Sequence, residues 1–371
     1  MIGVSFMAVF FTAPNQVQAQ TAKDPAAPQQ PQVMKGRVIK EVGEQTETGL
    51  NGQPLPLLQV ELLTGTRQGE TATASAVQLH AGETEFSSGQ KVVVETAQTT
   101  RGEQLVVADY LRLDDLAVII GLFAAAVLVV SRKTGLKSLL SMALSLVVIV
   151  KLLLPLLIKG VNPILVSLLG AVVIIPTTFY LSHGWNRKTH TAVLGTVAAL
   201  AAASLLASLM VSNAHLSGFT SDEAGFLQVE QQGQLNIQGL LLASIIIGLL
   251  GTLDDITVTQ AGFVFQLNKH NSKLTIRQLY QEAMEVGQDH IASMVNTLVL
   301  VYTGAALPLL LLFINNPQPL WYVFNQELVA EEIIRTLVGS IGLVLAAPLT
   351  TIIAAAAANR PQLAEMIKVK K

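Results

Sequence analysis

Two adjacent carboxylates, Asp254 and Asp255, stand in the stretch IIGLLGTLDDITVTQ, residues 246–260, within the most apolar half of the chain. They are the only charged residues between Leu235 and Asn268. A carboxylate inside a bilayer costs at least about 2.5–3.5 kcal/mol on insertion scales, so it ordinarily faces a partner or a water-filled cavity. Two on neighbouring positions repel when both are ionised and are expected to share protons. The chemistry that suits them is proton or ion binding. The competing reading is structural: a marker of the membrane edge, or a cap for a cytoplasmic helix starting at Ile256.

Several other side chains join the proton-pathway candidates. Thr259 shares a helical face with Asp255, and its hydroxyl either lines a polar path or bonds its own backbone. In the segment that follows, Glu282, Glu285 and Asp289 form an i, i+3, i+7 stripe, and Asn296 falls seven after Asp289. The outer acids read as a solvated face. Asp289, His290 and Asn296 enter an apolar run and are the candidates to face Asp254 and Asp255 across a helix interface. His290 is included because imidazole titrates near neutrality. Glu331 and Arg335, at i, i+4, read as a structural ion pair. Lys151, isolated in LSLVVIVKLLLPLL, either snorkels to the headgroups or serves as a counter-charge for the aspartates. No metal or cofactor is expected: the chain has 6 histidines without a metal-ligand spacing such as HExxH, and no cysteine. Nor is an enzyme expected, since no Ser-His-Asp spacing or GxxxxGK[ST] motif is present.

The elements that must carry these residues follow from composition. Of 371 residues, 51% are hydrophobic and 13% charged, with a mean hydropathy of +0.52, the texture of an integral membrane protein. The net charge of −2 supplies no basic stripe for nucleic acid. The expected fold is an α-helical polytopic membrane protein with seven transmembrane helices at about 115–131, 138–157, 163–182, 191–212, 237–258, 293–314 and 330–358. Together these make a membrane domain over 114–358, interrupted by a cytoplasmic amphipathic insert at 268–292. Asn162-Pro163 is a helix start, with a capping side chain before a proline at the first helical position. The Ala-rich stretch 194–208 and the seam of Gly339, Gly342, Ala346 and Ala347 let helices approach closely.

Upstream, residues 35–113 alternate apolar and polar side chains in five runs separated by glycine-containing turns, which reads as a small exported β domain, OB-like if its strands close. Residues 20–34 form a Pro/Gln/Ala linker. Residues 1–19 read as a signal peptide or a retained N-terminal anchor, although the basic n-region of a signal is missing. Lys and Arg gather on cytoplasmic connections. With the β domain outside, the inner segments hold Arg132, Lys133, Lys137, Arg187, Lys188, Lys269, Lys273, Arg277 and the basic tail of 359–371, whereas the outer loops hold Lys159. The C-terminus is therefore expected to be cytoplasmic.

The span from Met34 to the C-terminus resembles the YibE/F-like family of bacterial multi-pass membrane proteins. The resemblance rests on KGRVIKEV, SLLSMALSLVVI, IIGLLGTLDDITVTQ, GQDHIASMVNTLVLVYTGAALPLLLL and EEIIRTLVGSIGLVLAAPLTTIIAA. It implies the bacterial plasma (inner) membrane and no particular activity. A second, partial resemblance joins the GLL-x-x-x-DD run, the amphipathic insert and the next apolar helix to the proton-carrying segment of resistance-nodulation-division pumps and Sec translocon accessory proteins. Carried over, it makes Asp254 and Asp255 the protonatable pair. Here the exported domain precedes the spans and a duplicated second half is absent, which a homo-oligomer would supply. Two functions are expected: a proton-coupled transport or export component, or a non-transporting scaffold or envelope assembly factor acting on an envelope protein partner through its β domain. The lipid bilayer is a partner in either case.

Overall fold

The computed structural model describes residues 32–48, 54–76, 86–99, 102–314 and 317–359. The expected signal or anchor segment 1–19, most of the linker and nearly all of the basic tail lie outside the described residues. The chain separates into two compact units, Met1–Ala126 and Val127–Lys371.

The first unit holds five strands, β1 (Val33–Thr48), β2 (Pro54–Leu62), β3 (Thr71–Ala76), β4 (Lys91–Thr99) and β5 (Gly102–Tyr110). They close a barrel in the order β1-β2-β3-β5-β4, with β1 antiparallel to both β2 and β4, and β3 parallel to β5. The period-2 pattern sends Met34, Val38, Leu58, Val60, Val92, Val94 and Val107 inward, all nearly inaccessible. Gly36 faces the same core. A Cβ there would meet Val60 at 2.5 Å and Val94 at 2.8 Å, so the barrel is too narrow at that level for a side chain. The strand β1 begins two residues earlier than expected, inside the segment read as linker.

Helices follow: α1 (Leu113–Val148), a π-helical turn (Ile149–Leu153), α2 (Leu154–Ile158), α3 (Pro163–His183), α4 (Arg187–Asn213), α5 (Asp222–Glu230), α6 (Ile237–His270), α7 (Ile276–Ala305), α8 (Leu307–Ile314), α9 (Leu320–Asn325) and α10 (Glu327–Ala358). Among the described residues, five helical runs are long and apolar enough to cross a membrane, or six if the bent pair α7 and α8 is one span. With the bent pair counted as one span, this differs from the expected seven in one place. Segments 115–131 and 138–157 lie in a single run, Leu113–Ile158, of 46 residues. At 1.5 Å per residue it would be about 69 Å long if straight, more than twice a hydrocarbon core. It is not straight. Arg132 has φ 47° and ψ −122°, outside the helical region. A Cβ on Gly135 would lie 2.6 Å from the Val127 carbonyl oxygen, although a straight helix holds residues eight apart about 12 Å from each other.

Local chemistry sets the other boundaries. Pro155 has no N–H to return to Lys151, and the preceding turn widens so that the Leu154 N–H bonds the Ile149 carbonyl. Asn162 caps α3 as expected, accepting from the Ile164 N–H at 3.0 Å. The expected insert and the sixth span are one continuous helix, α7, which begins at a Thr275/Gln278 capping box. Its axis bends by 66° between Ala305 and Leu307, just before Pro308.

Within the second unit α4, α6 and α10 pack most extensively on one another. Small side chains make this possible: Ala192, Ala199, Ala203 and Ala207 on α4 and Ala346, Ala347, Ala354 and Ala355 on α10 are fully or almost fully buried. At Gly195 a Cβ would strike the Thr350 side chain and come within 3.0 Å of the Thr350 Cα. Here α4 and α10 touch backbone to backbone.

Candidate functional site

The helix α6 runs through this packed group, its start fixed by Asn236, which accepts from the Gly239 N–H at 2.8 Å. Neighbouring residues on a helix are rotated about 100° from each other, so Asp254 and Asp255 leave α6 in different directions. That rotation separates them into two environments.

Asp254 sits on the wall of a cavity of about 310 Å³ built between α1, α3 and α6. Its Oδ1 is buried and has no hydrogen-bond partner. Hydroxyls of Ser141, Ser145 and Thr178 share the lining. Ser145 donates to the Ser141 carbonyl at 3.0 Å and Thr178 to the Ile174 carbonyl at 2.9 Å, each back along its own helix.

Asp255 meets α7 instead. Its Oδ2 lies 3.6 Å from His290 Nε2, an ion-pair contact when the imidazole is protonated. Ser244, Gly248, Thr252, Asp255 and Thr259 fall on one face of α6. The first three line a second, smaller cavity of about 170 Å³ with Tyr302 of α7 and Arg335 of α10. Thr259, half-buried, continues the stripe beyond Asp255.

Of the residues expected to meet the aspartates, the structure brings His290 to Asp255 and neither Asp289 nor Asn296 to either of them. Both of those stand on the exposed face of α7, with Glu282 and Glu285. Asp289 and Asn296 thus share the solvated face expected for the outer acids alone, and His290, one position on from Asp289, is the residue turned toward α6. Lys151 is exposed on the π-helical turn and is not among the residues lining the Asp254 cavity. Glu331 and Arg335 do pair, at 2.5 Å, with Glu331 buried and also accepting from the Thr220 hydroxyl at 2.6 Å. Among the described residues no group of three or more His, Cys, Asp or Glu side chains gathers closely enough to hold a metal ion.

Three features escaped the sequence reading. Thr257, not Thr259, is fully buried, and its hydroxyl lies 2.8 Å from that of Thr196 on α4. Gln260 is fully buried and accepts from Thr351 of α10 at 3.0 Å, while its Nε2 has no partner. Gly287 of α7 packs on that amide, where a Cβ would lie 2.5 Å from Nε2. Glu327, one turn before Glu331, accepts from the Ser217 hydroxyl at 2.7 Å and the Gly218 N–H at 3.1 Å, tying the loop after α4 to the start of α10. A polar residue inside an apolar run was the only available signal for the first two.

The profile of the family described as YibE/F-like protein matches residues 119–360, well over half of the 371. The chain belongs to the YibE/F-like family. No curated protein and no solved structure matches it. With its membrane-length apolar helices, this YibE/F-like protein is an integral membrane protein. The family match takes in both aspartates, His290, the Glu331–Arg335 pair and every helix that forms the two cavities, whereas the strands of the barrel precede it.

Proposed function

We propose that this YibE/F-like protein moves protons through its helical unit, coupled to transport or export of a cargo, with Asp254 as the group that takes and releases the proton. One observation carries the reading: Asp254, which lines a hydroxyl-bearing cavity, has a buried carboxylate oxygen without a hydrogen-bond partner. An unsatisfied carboxylate in apolar surroundings destabilises the fold, whereas protonation removes the charge. Binding a proton therefore favours whichever packing of α1, α3 and α6 keeps Asp254 dry, and losing it favours one that admits water. A coupling ion needs that difference between two states. Asp255 and His290 form a second polar contact, about 100° round α6 from Asp254. The partial likeness of α6 and α7 to proton-carrying segments of resistance-nodulation-division pumps agrees with this assignment.

The membrane arrangement belongs to the same proposal. The run Leu113–Ile158 crosses twice, turning at Arg132, which gives seven spans if α7 and α8 form one. The barrel, OB-like in its strand order, lies outside and the C-terminus inside the bacterial plasma membrane, an orientation supported by the Lys and Arg distribution. The test is proton entry into proteoliposomes under an imposed voltage. The parent protein conducts, and Asp254→Asn falls to the rate of empty vesicles; a variant as fast as the parent removes the reading. A second reading, an envelope scaffold acting through the barrel, is favoured by the barrel having a closed core of its own.

A further inference from the structure

We infer that the cavity beside Asp254 binds a small organic ammonium ion, and that this cation is the cargo exchanged for the proton. The exchange rests on the function proposed above; the binding does not. Ser145 and Thr178 have already given their hydroxyl protons to carbonyls of their own helices, so their oxygens present lone pairs. The carboxylate of Asp254 is acceptor-only when ionised. The hydroxyls of Ser138, Ser141 and Ser182, which also line the cavity, can donate or accept, so the one charged group, Asp254, decides the ligand and asks for a positive charge. A primary ammonium has three donors and no acceptor.

Size and apolarity narrow the class. At about 310 Å³ the cavity greatly exceeds the roughly 10–15 Å³ one water occupies on the same kind of measure, so a bare monovalent cation would leave it mostly unfilled. It falls at the lower end of small-molecule sites, about 300–1,000 Å³. Ile174 and Leu250 share the wall with the hydroxyls, offering a surface for a short alkyl or aryl body. One carboxylate cannot hold a proton and pair with an ammonium ion at once. Occupancy by the two is mutually exclusive, which is the condition for exchange; with no amine present the vacated site resets unloaded, and each cycle then carries one positive charge inward, the movement that voltage drives.

The test is calorimetric titration of the purified full-length protein in dodecyl maltoside with phenethylammonium chloride, 2-phenylethanol and sodium chloride. Phenethylammonium binds saturably, and 2-phenylethanol, with the same ring and no charge, binds roughly tenfold more weakly or worse. Asp254→Asn loses a similar factor, Thr178→Val loses a few-fold, and Glu285→Gln, on the exposed face of α7, binds like the parent. The comparison of the two ligands on the parent protein holds even if a variant fails to fold. Equal binding of the alcohol reduces the site to an apolar cleft and overturns the inference; so do heat from sodium alone and no binding at all. Absence of amine binding with Asp254-dependent proton entry intact overturns the cargo class and spares the proton function. Amine binding without proton entry does the reverse.

Discussion

Asp254 and Asp255 differ by one rotation of the helix, and the consequence is that each can be tested alone. The Oδ1 of Asp254 is buried without a partner, whereas Asp255 is well exposed on its side chain and faces His290. Asparagine keeps the acceptor but removes the charge, whose burial is the larger cost, so Asp254→Asn is expected to raise stability by about 1 kcal/mol while abolishing proton movement. A thermal melt of the purified variant checks this; a lower melting temperature would mean that Asp254 is held by favourable contacts. Glu331 behaves oppositely. It is buried, paired with Arg335 and bonded by Thr220, so Glu331→Ala leaves the Thr220 hydroxyl without its acceptor and Arg335 with only the more distant Glu332, at 3.9 Å, and is expected to destabilise by about 2–3 kcal/mol. Chemical denaturation measures that difference. The Glu331–Arg335 pair was legible in the sequence because i, i+4 geometry is local. The division of labour between Asp254 and Asp255 was not, because it depends on which helices pack on either side of α6. Thr196 and Thr257 lie 61 positions apart and meet only once α4 and α6 are packed.

At the scale of elements, close approach of α4 to α10 holds the bundle together. The approach is set by Gly195 against Thr350, and Gly195→Val has no room for its methyl groups. It is expected to lower stability by about 2–3 kcal/mol, and Thr350→Ala, which removes the clashing hydroxyl but keeps the Cβ, to restore part of the loss. Additive losses in the double variant would show that the two positions do not share a contact. The strands were readable from alternation and the spans from apolar length. What escaped was continuity. Nothing in 276–305 breaks the helix, so an amphipathic stretch and an apolar one merge into α7. Conversely, the change of direction at Arg132 falls in the basic SRKTGLK stretch between the two expected spans, where Gly135 supplies the close approach to Val127, and the backbone angles fix it at one residue.

For the molecule as a whole, the open question of path through the bilayer has a direct answer because the sequence contains no cysteine. Single cysteines at Ser88 in the barrel, Lys133 beside the Arg132 break and Lys159 after α2 divide the possibilities. With two crossings in Leu113–Ile158, an impermeant maleimide applied to intact cells labels Ser88→Cys and Lys159→Cys, while Lys133→Cys reacts after the inner face is opened. Labelling of Lys133→Cys from outside would refute the double crossing. The two-part organisation was visible from composition, since residues 35–113 alternate and those after 115 do not. The relation of that organisation to activity was not, because an exported barrel serves a pump or a scaffold equally well.

The proposal stands or falls on whether Asp254 carries the proton independently of its neighbour. Initial rates of voltage-driven proton entry into proteoliposomes should be compared for the parent, Asp254→Asn, Asp255→Asn and the double variant at equal protein content. The account predicts that Asp254→Asn alone reaches the empty-vesicle rate, that Asp255→Asn keeps a measurable fraction of the parent rate, and that the double variant is no slower than Asp254→Asn. Parent-like entry in Asp254→Asn would contradict it.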